Sequence, residues 1–173
     1  MTALELALQN WPAWVLWGLV ASTGMATLME GAQLAGASRM SLPFLFGTFL
    51  TGDRRRAIVV GYVAYLLGGW AFALLYALML GSFAGLGPWA LTGIGFLAGL
   101  GHGTFLVTVF LSVLPLVHPR LASDYDTMQD LGRIEPPGAF GLNYGRATPV
   151  VTLCAQAVYG AVMGLGYGAA IAS

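Results

Sequence analysis

One histidine lies in the middle of a long uncharged run, among glycines spaced four residues apart. His102 follows Gly95 and Gly99 and precedes Gly103 within the segment 93–108. An imidazole in this setting has three interpretations: an axial ligand of a haem or pigment, a proton relay, or a neutral side chain satisfied by a hydrogen bond. The ligand interpretation needs the glycine face to leave room for a macrocycle. We favour the hydrogen-bonded imidazole.

Glu30 is the second residue whose side chain could have a functional role. A carboxylate within the hydrocarbon is energetically costly, and it normally faces a protein interior, a water cavity or a partner. Thr23 and Thr27 extend a polar stripe on the same helical face. Two interpretations are open: a waypoint for protons or cations, or a carboxyl group held by hydroxyls near the interface. A rise of 1.5 Å per residue places Glu30 roughly 12 Å from the midplane, level with Tyr62. An ion pair with the central His102 is therefore not expected.

By the same residue count, His102 is level with Thr23 of the first uncharged run and Tyr159 of the last. Either hydroxyl group has the chemistry to hydrogen bond a neutral imidazole. We expect one of them to be the partner of His102.

The composition indicates what kind of protein carries these residues. The chain has 173 residues, of which 58% are hydrophobic and 8% charged, and its mean hydropathy is +0.78. Soluble domains carry about 25% charged residues. The net charge is zero and no basic tract is interleaved with aromatics, which argues against nucleic acid as a partner. The composition predicts an integral membrane protein that is embedded in the lipid bilayer.

Four uncharged runs approach or exceed the roughly 20 residues that a helix needs to cross a bilayer. Backbone groups in lipid must be satisfied internally, so each run is expected to be a helix. Residues 1–173 are thus predicted to form one all-α, polytopic domain, with Pro115 ending the third helix. The predicted transmembrane helices are residues 11–34, 58–81, 89–114 and 148–171.

All seven basic residues are arginines, and all lie between the first two or the last two predicted helices. Since cytoplasmic loops retain positive charge, segments 38–57 and 118–146 are predicted to be cytoplasmic and both termini to face outward. The predicted topology is therefore N-out/C-out. Within the first loop, Ser41–Leu50 is aromatic and too short to span, which predicts a short helix in the cytoplasmic interface. The arginines expected to bind lipid phosphates there are Arg39, Arg54, Arg55 and Arg56.

Glycines recur every fourth residue at positions 95, 99 and 103 and again at 160, 164 and 168. Such faces allow helix backbones to approach closely in a membrane. Two such faces exceed the packing needs of one small bundle. This surplus favours a homo-oligomer, or other integral membrane subunits, as partners.

The second loop is expected to fold over the helix ends or against a partner, because about thirty residues cannot bury a core of their own. Its expected contact residues are His118, Asp124, Glu135, Asn143, Tyr144 and Arg146. The last three form a candidate polar latch on Glu135 or Asp124. The spacing of His118 and Asp124 matches no compact metal-site pattern, and the chain has no nucleophile elbow, so no metal or catalytic residue is assigned.

Three parts of this loop resemble a family of small, four-helix bacterial inner-membrane proteins of uncharacterised activity. They are His118–Ser123, Glu135–Gly138 and Asn143–Pro149, and the segment 43–56 extends the resemblance. The resemblance implies four helices and an inner membrane. It brings no activity, so no functional residue is transferred.

Three functions compete on this basis. We favour a non-enzymatic helix-packing subunit of a homo-oligomer or of a larger membrane complex. The alternatives are a transporter or channel for a small solute, proton or ion, lined by Glu30 and His102, and a haem- or pigment-binding subunit that uses His102.

Overall fold

The computed structural model describes residues 1–122 and 133–172. Of these described residues 79% are helical, and none belongs to a strand. The segments long and apolar enough to cross a membrane are Trp11–Leu34, Arg54–Gly81, Pro88–Val117 and Thr148–Ile171. The prediction of an all-α protein with four such helices is confirmed.

The described residues form seven α-helices, a π-helical turn and a 3-10 segment. The α-helices are α1 (Ala3–Gln9), α2 (Trp11–Leu34), α3 (Leu42–Leu50), α4 (Arg54–Gly81), α5 (Pro88–Phe105), α6 (Leu111–Val117) and α7 (Thr148–Ile171). The π-helical turn Leu106–Phe110 joins α5 to α6, and the 3-10 segment covers Ala139–Tyr144.

Helix α4 begins at Arg54, earlier than the predicted start at residue 58. The cause is Asp53, whose carboxylate accepts a hydrogen bond from the N–H of Arg56 at 2.8 Å. A side chain in this position satisfies a donor that the helix leaves unpaired at its N-terminus. The three consecutive arginines therefore form the first turn of α4 and do not belong to a loop.

The third long helix continues past Pro115 to Val117, whereas the proline was predicted to end it. It reaches Pro115 through the π-helical turn, in which the N–H of Leu111 bonds to the carbonyl of Leu106. Next to this turn, the hydroxyls of Thr108 and Ser112 donate to carbonyls four residues earlier, at 2.7 and 2.9 Å. Widened turns and hydroxyl groups of this kind satisfy backbone groups and let membrane helices tolerate proline.

The chain divides into two compact units. The first unit comprises Met1–Leu28, Gly68–Gly103 and Leu153–Ser173, and the second comprises Met29–Leu67 and Thr104–Thr152.

In the first unit, the glycine faces of α5 and α7 pack against each other. A Cβ atom on Gly95 would overlap the carbonyl oxygen of Gly160, and one on Gly99 would lie 2.8 Å from the Cα of Ala157. A Cβ on Gly164 would lie 2.7 Å from the Cα of Thr92. Glycine is required at these positions because backbone contacts backbone. The two faces thus satisfy each other within one chain, which removes the surplus on which the expected oligomer was based.

In the second unit, α3 and α4 form an antiparallel helical hairpin, here called the α3–α4 hairpin. A Cβ on Gly47 would lie 2.8 Å from the Cα of Ala57, and one on Gly61 would overlap the carbonyl oxygen of Pro43. The order of these two contacts places α3 lengthwise along the first turns of α4. Buried residues of α3 include Leu42, Pro43, Leu45, Gly47 and Thr48. The predicted short helix is therefore present, but it packs against protein and does not lie free on a surface.

Candidate functional site

The polar side chains of α2 that the sequence singled out face outward. Glu30, Thr23 and Thr27 are all exposed. Each threonine hydroxyl donates to the carbonyl four residues earlier, at 2.8 Å for Thr23 and 2.9 Å for Thr27. No cation in the described part of the chain pairs with Glu30, and Tyr62 on α4 is half-buried. These groups therefore do not form the interior polar route that the transport interpretation requires.

His102 lies on α5 against aromatic side chains of α4, within the first unit. Its ring stacks on Phe72 with the centroids 4.3 Å apart, and the ring of Tyr76 lies 6.4 Å away. The hydroxyl of Tyr159 donates to the carbonyl of Gly69 at 2.7 Å. The Nδ1 atom of His102 is buried and has no hydrogen-bond partner among the described residues. The expected bond to a tyrosine or threonine hydroxyl is thus not formed at Nδ1.

Further polar atoms of the first unit are buried without a hydrogen-bond partner in the described part of the chain. They are Oγ of Ser22, the hydroxyls of Tyr76 and Tyr167, and Oε1 of Gln156. Buried polar groups are almost always hydrogen-bonded, and leaving one unpaired costs about 1–3 kcal/mol. The first unit therefore has a polar interior that calls for bridging water. Gln156 was not singled out from the sequence; its amide, one helical turn before Gly160 in an otherwise apolar run, was the available signal.

The space beside His102 bears on the haem and pigment interpretation. A Cβ on Gly103 would lie 3.0 Å from the Cα of Leu153, so α7 covers this part of the glycine face. Phe72 covers one face of the imidazole ring. The room that a macrocycle needs on the glycine face is therefore filled by the protein, which disfavours His102 as an axial ligand.

Arg39 joins the two connecting segments of the second unit through a cluster of contacts, here called the latch. Its guanidinium contacts the Glu135 carboxylate at 3.1 Å and donates to the carbonyl of Asn143 at 2.6 Å. The hydroxyl of Tyr144 donates to the carbonyl of Glu135 at 2.7 Å. Burial raises the pKa of Tyr144, and the nearby Glu135 carboxylate raises it further against the opposing effect of Arg39. The Tyr144 hydroxyl therefore stays protonated at neutral pH and keeps donating its hydrogen bond to the carbonyl of Glu135.

From the sequence, Arg39 was predicted to bind lipid phosphates and Arg146 to belong to this latch. In the structure, Arg146 is exposed and Arg39 provides the latch cation. Asp124, the alternative acceptor, lies outside the described residues.

His118 was expected on a partner-contacting surface, but its side chain is 4% exposed. Its Nδ1 accepts the N–H of Arg120 at 3.1 Å, so in the neutral ring Nε2 carries the hydrogen and donates to the carbonyl of Leu45 at 3.1 Å. Burial lowers its pKa and Arg120 lowers it further, whereas the bond to Leu45 opposes this shift. His118 therefore fastens α3 to the chain that follows α6. The described residues contain no metal-binding group of three His, Cys, Asp or Glu.

The arginines of the α3–α4 hairpin differ in their surroundings. The guanidinium of Arg54 lies 5.4 Å from the centroid of the Phe44 ring, a cation–π contact. Arg55 and Arg56 are exposed and line a surface groove of about 630 Å³.

No protein-family model, curated protein or solved structure matches this chain.

Proposed function

We propose that this is a non-enzymatic, multi-pass membrane protein that serves as a helix-packing subunit of a homo-oligomer or of a larger membrane complex. The observation that carries the proposal is the outward position of Glu30 on α2. The glycines of α5 and α7 no longer support an oligomer, because they pack against each other within one chain.

A carboxylate on the outside of a membrane helix is in an unfavourable place. Charged groups within spans almost always face protein or a water-filled cavity, and an acidic residue at a helix centre costs about 2.5–3.5 kcal/mol. Glu30 is four residues from the end of α2, roughly 6 Å along the axis, so its cost is smaller. The exposed Thr23 and Thr27 lie deeper on α2. A partner helix against α2 removes all three from lipid.

Native mass spectrometry of protein extracted in mild detergent tests this proposal. We expect wild type to appear as an oligomer or with a second membrane protein. Glu30→Leu should reduce the assembled fraction, whereas Glu30→Gln, which keeps a hydrogen-bonding group, should reduce it less. Glu5→Gln is the matched control, since Glu5 is also exposed but belongs to the short α1. A stable, solitary wild-type monomer would contradict the proposal.

The orientation of the assembly is part of the proposal. The arginines at the start of α4 and in the segments after α2 and α6 support cytoplasmic connections with both termini outside, in a bacterial inner membrane. Alkaline phosphatase fused at the C-terminus should be active, and the same reporter inserted at Gly52 should be inactive. The reverse pattern would contradict this orientation.

A second function, a path for protons or water through the first unit, is favoured by its buried polar interior. The unpartnered atoms of Tyr76, His102 and Gln156 are the supporting observation. His102→Ala and Gln156→Leu should each lower proton flux into liposomes if this path operates. Glu30→Gln is the control, because Glu30 faces outward. Equal flux in wild type, the two variants and empty liposomes would contradict this function.

A further inference from the structure

The groove beside the α3–α4 hairpin combines cationic and apolar walls. It has a volume of about 630 Å³ and is lined by Leu50, Thr51, Arg55, Arg56, Val59 and Val60. Residues four apart on a helix lie on the same face, so Val59 follows Arg55 and Val60 follows Arg56 one turn further along α4. The groove is therefore cationic at the start of α4 and apolar about 5.4 Å deeper.

The cationic end has unused hydrogen donors. Arg55 and Arg56 make no ion pair within the described part of the chain. Asp53, which precedes α4, uses one carboxylate oxygen to accept the N–H of Arg56. The hydroxyl of Thr51 accepts the N–H of Asp53 at 3.2 Å and keeps its own hydrogen for donation. Two guanidinium groups and a hydroxyl suit the oxygens of a phosphate, which arginine binds through paired N–H groups.

The apolar end indicates where that phosphate comes from. Leu50 is 69% exposed and Val59 is 65% exposed. A free phosphate ion gains nothing from these side chains. A phospholipid places its acyl chain on them while its phosphate contacts the arginines, and a headgroup with net negative charge complements the two unpaired cations.

We propose that this groove is a binding site for one phospholipid with an anionic headgroup. The phosphate contacts Arg55, Arg56 and Thr51, and an acyl chain lies on Leu50 and Val59. The site is independent of the proposed oligomer, because every residue that forms it belongs to a single hairpin.

Native mass spectrometry of delipidated protein tests the site, with dioleoylphosphatidylglycerol and dioleoylphosphatidylcholine as the two lipid probes. Wild type should retain one phosphatidylglycerol more strongly than phosphatidylcholine. The variant Arg55→Gln/Arg56→Gln should weaken phosphatidylglycerol retention roughly 30-fold, because each surface cation contributes about a fivefold factor. Arg146→Gln is the control for net charge, since Arg146 is exposed and does not line the groove.

A second variant protects the test against loss of folding or orientation in the arginine variant. Val59→Trp leaves every arginine in place and fills the apolar end at an exposed position, so it should also release the lipid. Equal retention of the two lipids, an equal loss in Arg146→Gln, or unchanged binding in Val59→Trp would overturn the proposal. Release of the lipid by millimolar inorganic phosphate would also overturn it, since the site would then recognise the phosphate alone.

Discussion

Two glycines on the same helix should respond in opposite ways to one added methyl group. A Cβ on Gly99 would lie 2.8 Å from the Cα of Ala157, whereas one on Gly101 would have nothing within 4 Å. Carbon atoms prefer a separation of about 3.5–4.0 Å, so Gly99→Ala must move α5 and α7 apart by about 0.7 Å or more. The atoms in the way are backbone atoms, which cannot rotate aside.

The magnitude follows from packing. Overfilling a close-packed contact costs about 1–3 kcal/mol, which is the expected drop in the unfolding free energy of Gly99→Ala. Gly101→Ala should instead raise that free energy by up to about 1 kcal/mol, because alanine favours helix over glycine. Reversible unfolding in mixed micelles of detergent and dodecyl sulfate, followed by far-UV circular dichroism, measures both variants. Equal effects of the two substitutions would refute the glycine contact between α5 and α7.

Three further predictions concern the second unit. Burial lowers the pKa of His118 below its ordinary value of 6.5, so at acidic pH the unfolded chain binds a proton that the folded chain does not. The unfolding free energy should therefore fall as the pH drops below about 6.5. Thermal unfolding across this range should show the fall in wild type and less of it in His118→Gln; an equal fall in both would contradict the assignment. Arg39→Gln should lower the unfolding free energy by only about 1 kcal/mol, because the ion pair of Arg39 with Glu135 is partly exposed. It should also speed amide hydrogen exchange in Ala139–Tyr144. Arg146→Gln should change neither quantity. Phe140 has a φ of 56°, in the left-handed region that favours glycine over other residues. Phe140→Gly should therefore raise the unfolding free energy by about 1 kcal/mol. A lower melting temperature would show that the ring of Phe140 makes a stabilising contact.

The long helices were predictable because each depends on its own residues. A run of about 20 uncharged residues has to be helical in lipid, whatever its neighbours are. The boundaries were less predictable, because they depend on single contacts. Asp53 extends α4 to Arg54, and a π-helical turn carries the third long helix past Pro115.

The candidate sites were predictable in residue type and unpredictable in partner. The sequence identified Glu135 and Tyr144 as latch residues but chose Arg146 as their cation. The structure shows Arg39, which is distant in the chain and meets Glu135 only after folding. His118 was expected at a surface because the sequence does not show that α3 packs against it. Its burial depends on this contact, which forms only after folding.

The sequence by itself determined that this protein is helical, that it has four segments able to span a membrane, and that its glycine faces serve close packing. These properties follow from hydropathy and residue spacing along one chain. Only the tertiary structure decided that the glycine faces of α5 and α7 meet each other and that Glu30 faces outward. Helices that are apolar on every side carry little information about which face turns inward, so backbone contacts between helices make that choice.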